Sequence, residues 1–174
     1  LPQDAIYLDS AGHTLRPEPV IDAVLQYYRH YNACGGRVKY DWGTQVDAKV
    51  WEARQRALAV VSKSAREYAV AVTLNATYGI NLVLGQLPAT VRRIMTSDIE
   101  HNSVFLPTMT AAKRLQVPRI VVPRSMDGAL EYAPGDLDGA VVTINSMSNF
   151  DGRTLLNLHR LVEAHDHAFD QGDG

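Results

Sequence analysis

VRRIMTSDIEHNSVFLPTMTAAKRLQVPRIVVPR, residues 91–124, decides the fold. VRRIMTS reads as a strand, NSVFLPTMTAAKRLQ as a helix despite Pro107, and PRIVVPR as a second strand. The same alternation continues on both sides. YAVAVTL (68–74) has the look of a buried strand and 78–86 of a helix; GAVVTINS (139–146) is another strand and LLNLHRLVEAHDHAF (155–169) another helix. Strands alternating with helices predict an α/β fold with a mostly parallel sheet flanked by helices on both faces.

Upstream, AIYLDSAG (5–12) is a short strand-like piece broken by Ser10, Ala11 and Gly12. RPEPVIDAVLQYYRHY carries Pro17 and Pro19 where a helix front tolerates them, and Val20, Val24, Tyr27, Tyr28 and Tyr31 recur at helical spacing. NACGGRVKYDWG (32–43) is a glycine-rich loop. The long helix TQVDAKVWEARQRALAVVSKS follows, with Val46, Val50, Ala53, Ala57, Val60 and Val61 on one side. No repeat or linker interrupts the chain, so a single α/β domain is expected over 1–174. DQGDG (170–174) is polar where an apolar strand should follow. It reads as a flexible tail, and the sheet stops early or the chain is a fragment.

Bulk properties exclude several classes. With 174 residues, 46% of them hydrophobic and 21% charged, the chain can bury a sizeable core. A net charge of −2 advertises neither nucleic acid nor an anionic membrane. The apolar runs are too short to cross a bilayer, and LPQDAIYLDS lacks the pattern of a signal peptide. One cysteine, Cys34, forbids an internal disulfide and fits a reducing cytoplasm.

Ligands of open parallel sheets bind beyond the carboxyl ends of the strands. The residues just past each expected strand are therefore the candidates. Asn75, Ala76 and Thr77 follow the first; Asp98, Glu100, His101 and Asn102 follow RIMTS; Ser146, Ser148 and Asn149 follow VVTIN. In TLNATYGINLVLG (73–85) a small polar turn opens a helix, which suits an anion such as phosphate and equally suits a plain cap by Asn75 or Thr77. His101 alone reads as a capping or surface histidine, and Asn149 as a turn residue. Together they compose a phosphate turn, an imidazole and an amide, fit for a flat, polar, phosphorylated ring.

These stretches resemble the class V aminotransferase and cysteine desulfurase family, pyridoxal phosphate enzymes of fold type I. YLDSAGHT is similar to that family's YLDNAATT, and VWEARQRALAVV to its YEEAR helix. TLNATYGINLVL is similar to its T-x-x-A-T-x-x-x-N phosphate turn, SDIEHNSVFLP to EHHSNLLPW, and TINSMSNFDGRTLLN to THVSNVTGTINP. The order and rough spacing agree over nearly the whole chain. The resemblance implies the first half of a fold type I large domain and pyridoxal phosphate as cofactor. It implies that Ala76 and Thr77 hold the phosphate and that His101 stacks on the ring. Asn149 would then sit near the ring's phenolic oxygen or the substrate carboxylate.

Departures from the family pattern narrow the assignment. The family forms its Schiff base through a lysine after a Ser-x-His-Lys type sequence; Lys39, Lys49, Lys63 and Lys113 lie in no such context. No catalytic residue is therefore assigned. The family's VDGAQ aspartate has only a faint echo in Asp173, and its desulfurase cysteine lies in a late region, so Cys34 does not inherit that role. The two imidazoles of HDH (165–167) point apart on a helix and lack a third ligand, so no metal site is assigned. Arg92–Arg93, Arg119 and Arg124 read as solvated strand flanks. The expectation is a pyridoxal phosphate enzyme lineage acting on an amino acid. The alternative is a non-catalytic α/β domain for oligomerisation or interaction. An open sheet edge and the surface from Tyr31 to Trp51 make a homo-oligomer the expected assembly.

Overall fold

In chain order the structure has helices α1 (Glu18–His30), α2 (Asp41–Val60) and α3 (Ala76–Gly85), then strand β1 (Arg93–Ser97) and helix α4 (Asn102–Leu115). Strands β2 (Arg119–Val122) and β3 (Ala140–Thr143) and helix α5 (Leu158–Asp170) complete it. It is a computed structural model that describes residues 4–170. The chain divides between Val72 and Thr73 into two compact units.

The second unit is built on β1. Ile94, Met95, Thr96 and Ser97 are all 0% exposed, so β1 is covered on both faces and cannot be an edge. β2 and β3 flank it, both parallel, in the order β2-β1-β3. Met95 lies opposite Ile120 on one side and Val142 on the other. Successive side chains of a strand point to opposite faces. Ile94 therefore packs with Leu84, Ala111 and Ala112, while Met95 packs with Val122, Leu130, Leu137, Leu155 and Leu161. Each fully buried side chain of this size contributes roughly 1.5–3 kcal/mol.

Two helices cover the Ile94 face. α3 packs on α4, and α4 on β1. The Arg114 guanidinium donates to the Leu84 and Leu87 carbonyls at 3.2 and 3.0 Å. The two helices thus share their C-terminal ends, and their N-termini both lie at the carboxyl edge of the sheet. Gln116 ends α4 in the left-handed conformation, φ 57°, where its N–H reaches the Ala112 and Lys113 carbonyls.

The first unit holds α1 and α2. Only Gly43 and Leu58 of these helices are buried. Gly43 is fixed by a close approach, since a Cβ there would stand 2.0 Å from Val38 Cγ2 and 2.8 Å from the Cys34 carbonyl. The Gly36 N–H donates to Asp47 Oδ1 at 2.7 Å and the Tyr40 hydroxyl to the Cys34 carbonyl at 3.2 Å, folding the glycine-rich loop onto the start of α2. On the apolar side of α2, Val60 is 85% exposed.

Two expected strands do not form. Residues 68–74 join no ladder, and Val72 and Leu74 are exposed. An apolar run becomes a strand only when a neighbour supplies its hydrogen bonds, and the three-stranded sheet offers none to this segment. At 5–12 the Asp9 carbonyl accepts the Gly12 and His13 N–H groups at 3.1 and 3.0 Å, which makes a turn. Residues 171–174, with Asp173, lie outside the described residues.

Replacing Ile94 by Ala should cost ~2–5 kcal/mol, the cost of a cavity in a dry core. Val83→Ala, at an exposed position of α3, should stay within about 0.5 kcal/mol. Urea unfolding of both variants measures this; equal costs would mean that β1 is not the centre of the core.

Candidate functional site

At the start of α3, Asn75 is the cap: its backbone is extended and its Oδ1 accepts the Tyr78 N–H at 2.8 Å. That single bond satisfies one orphan donor of the helix. The Ala76 and Thr77 N–H groups and the Thr77 hydroxyl form no hydrogen bond among the described residues. The Thr77 carbonyl is held by Asn81 Nδ2 at 2.8 Å, which steadies the first turn. The cap and the anion cradle thus do not compete, because they use different donors of one helix end.

His101 caps α4. Its Nδ1 accepts the Ser103 N–H at 3.0 Å and lies 2.7 Å from Ser103 Oγ. With Nδ1 accepting, the neutral ring carries its proton on Nε2. The ring is exposed at the carboxyl edge, the same edge as Ala76 and Thr77.

Asn149 sits at the exposed tip of a tight hairpin over 146–155 that leaves β3 at this edge. Ser148 N–H donates to the Arg153 carbonyl at 2.9 Å, Gly152 N–H to the Ser148 carbonyl at 3.0 Å, and Leu155 N–H to the Ser146 carbonyl at 2.7 Å. Met147 and Thr154 pair as an antiparallel bridge. Asp151 locks the tip. The Arg153 N–H holds its carboxyl below the usual value, helped by the Ser148 hydroxyl and the Arg153 charge and opposed by burial.

Beneath the hairpin lie Glu100, one of the candidates past RIMTS, and Arg124, while Arg119 stands at the other end of β2; both arginines are expected from the sequence as solvated strand flanks. Glu100 is 4% exposed; its Oε1 accepts the Ser97 hydroxyl at 2.5 Å and its Oε2 the Asn145 N–H at 2.9 Å. Arg124 is buried, not a solvated flank: its N–H donates to Asp98 Oδ1 at 3.1 Å and its Nη2 to the Asn145 carbonyl. Arg119 is half-buried, with its guanidinium 4.0 Å from the Phe105 ring centre and donating to Thr108 Oγ1. Both reach inward because a long side chain at a strand end can lie along the apolar layer. Local sequence carries no signal for this, since strand-end arginines look alike whichever way they turn.

Other candidates lie elsewhere. Lys113 is in the last turn of α4, roughly 18 Å along the axis from His101 at 1.5 Å per residue. Among the described residues no group of three His, Cys, Asp or Glu could hold a metal, and no helix is long and apolar enough to cross a membrane. Cys34 is exposed.

The donor set suits a phosphorylated ring. The start of α3 offers two N–H groups and a hydroxyl for the dianion, and an imidazole face and an amide stand at the same edge of the sheet.

The sequence pattern described as Aminotransferase class-V matches residues 6–169. The chain belongs to the class V aminotransferase family. It is 33% identical to a probable cysteine desulfurase of Methanothermobacter thermautotrophicus over 156 residues, 84% of this chain and 37% of that protein. It is 30% identical to a cysteine desulfurase of Klebsiella pneumoniae over 173 residues, 95% of this chain and 42% of that one. The apo structure of the cysteine desulfurase from Thermococcus onnurineus NA1 superposes with a TM-score of 0.83 at 25% identity, covering 94% of this chain and 42% of that one. The chain thus spans about two fifths of the family members it matches, and it is cysteine desulfurase-like over that part.

The Asp151 lock sets a pH dependence for the hairpin. A carboxyl whose folded value is depressed stabilises above its unfolded value, ordinarily 3.8, and loses that contribution as pH falls through the lower folded value. NMR cross-peaks of Ser148, Gly152 and Arg153 should therefore move toward coil positions as the pH drops below that range. Asp151→Asn should abolish the step; an identical step in the variant would contradict the assignment.

Proposed function

We propose that this chain binds pyridoxal phosphate at the carboxyl edge of its sheet and is the cofactor-anchoring part of a class V enzyme that acts on an amino acid. One observation carries the reading: the N–H groups of Ala76 and Thr77 and the Thr77 hydroxyl are unpaired among the described residues, at the same sheet edge as the exposed ring of His101. When bound, the cofactor supplies an electron sink for bonds at an amino-acid carbon.

The chain's own residues bind and orient. Ala76 and Thr77 hold the phosphate dianion through backbone and hydroxyl donors aided by the helix dipole. His101 presents its ring face for stacking, and its Nδ1, occupied by Ser103, prevents the ring from swivelling. Asn149 offers an amide to the phenolic oxygen or to the substrate carboxylate. The described lysines occupy other places, so attachment of the cofactor and chemistry on the substrate call for residues beyond this set. The cysteine desulfurase relatives make cysteine the first amino acid to assay with a complete site.

A second reading rests on the first unit. Trp42 and Trp51 are 60% and 61% exposed, and Tyr28 and Val50 are 63% and 43% exposed. Exposed aromatics of this kind mark contact surfaces. We infer a homo-oligomer that uses residues 31–51, with or without catalysis. A cytoplasmic setting suits the exposed Cys34 thiol.

Fluorescence titration with pyridoxal phosphate should give saturable binding, and borohydride reduction should label no single lysine stoichiometrically. Thr77→Val should weaken binding by about 1.5–3 kcal/mol, roughly tenfold to 150-fold, the value of a hydrogen bond to a charged group. Unchanged affinity in that variant would remove the phosphate cradle from α3.

A further inference from the structure

His101 and Asn149 reach the carboxyl edge from different strands. His101 follows β1, while Asn149 stands on a hairpin that β3 carries. Nothing in either segment alone sets their separation. The backbone of Asn145, at the base of the hairpin, is gripped from two sides. Its N–H donates to Glu100 Oε2 at 2.9 Å, and Glu100 is the residue immediately before His101. Its carbonyl accepts Nη2 of Arg124, which comes from the end of β2. The Arg124 N–H in turn donates to Asp98 Oδ1, at the end of β1. Since the sheet order is β2-β1-β3, the Arg124 side chain crosses over the end of β1 to reach β3. All three strand ends are thereby tied together.

Arg124 is a costly way to build a plain core. Its Nε and Nη1 are buried without hydrogen-bond partners among the described residues. Unused buried donors on a charged group oppose folding, and an apolar side chain of similar length would avoid that cost. A residue that costs stability yet spans three strand ends has a geometric role.

We propose that Arg124, together with Glu100, is a positioning residue that fixes the Asn149 hairpin relative to His101. This rests on the reading that pyridoxal phosphate binds between them. Neither residue touches the ligand, and both act through the Asn145 backbone. The phosphate cradle on α3 lies outside the brace, so loss of the brace separates ring recognition from phosphate recognition.

The test compares Arg124→Met and Arg124→Lys with the unmodified 174-residue chain. In Arg124→Met, amide hydrogen exchange at Asn145, Ser148 and Gly152 should accelerate about tenfold or more, with β1 and β2 amides unchanged and the thermal midpoint equal or higher. Arg124→Lys, which keeps a donor for the Asn145 carbonyl, should restore hairpin exchange to within about threefold. Affinity for pyridoxal phosphate should fall about tenfold in Arg124→Met while that for inorganic phosphate stays within about twofold. Unchanged hairpin exchange in Arg124→Met would overturn the brace. So would faster exchange throughout the sheet with a lowered midpoint, which is the mark of a purely structural residue. Equal losses for both ligands would also overturn it. If the unmodified chain binds neither ligand, the cofactor reading fails, and the exchange data still decide the brace.

Discussion

The burial of β1 on both faces governs the second unit. A strand whose every side chain from Ile94 to Ser97 is sealed from water must have layers above and below and a neighbour on each edge. α3 and α4 make one layer; Leu137, Leu155 and α5, through Leu161, make the other. Parallel pairing makes α4 start at the carboxyl edge, where β1 ends, and α3, tied to the end of α4 by Arg114, runs the same way. The orientation of two helix N-termini is thus a consequence of packing, and it concentrates unpaired N–H groups and partial positive charge where the strands end.

The candidate site exploits that edge with little added structure. Asn75 and His101 each cap a helix with a side-chain acceptor, and each cap leaves something over. Asn75 satisfies Tyr78 N–H and leaves the two preceding N–H groups open. His101 uses Nδ1 and leaves a ring face and Nε2. Capping thus leaves in place the groups that the proposed site would use. Asn149 differs, because a hairpin is a looser support than a helix end. Its stiffness comes from Asp151 at the tip and from the buried contacts to Asn145 at the base.

Much of this was legible in the sequence where the signal is local. The crossover unit at 91–124 and the helix opened by Asn75 come from periodicity and turn chemistry, and the match over residues 6–169 bears out the resemblance at the level of family; Ala76, Thr77, His101 and Asn149 remain the site we propose. What failed depends on partners far along the chain. YAVAVTL has strand composition, yet β1, β2 and β3 leave it unpaired. AIYLDSAG closes into a turn around the Asp9 carbonyl. Arg124 reads like any strand-flanking arginine, because its burial is decided by Asn145, twenty-one residues away.

The central claim is that the carboxyl edge of this sheet seats a phosphorylated aromatic ring between α3, His101 and the Asn149 hairpin. Its most direct test is NMR of the isotope-labelled chain during titration with pyridoxal phosphate. The Ala76 and Thr77 amides and the Asn149 side-chain amide should shift together along one binding curve, with a nuclear Overhauser contact between the cofactor ring and the His101 imidazole. Shifts confined to lysine-bearing segments, or the absence of any ring contact to His101 at saturation, would contradict it.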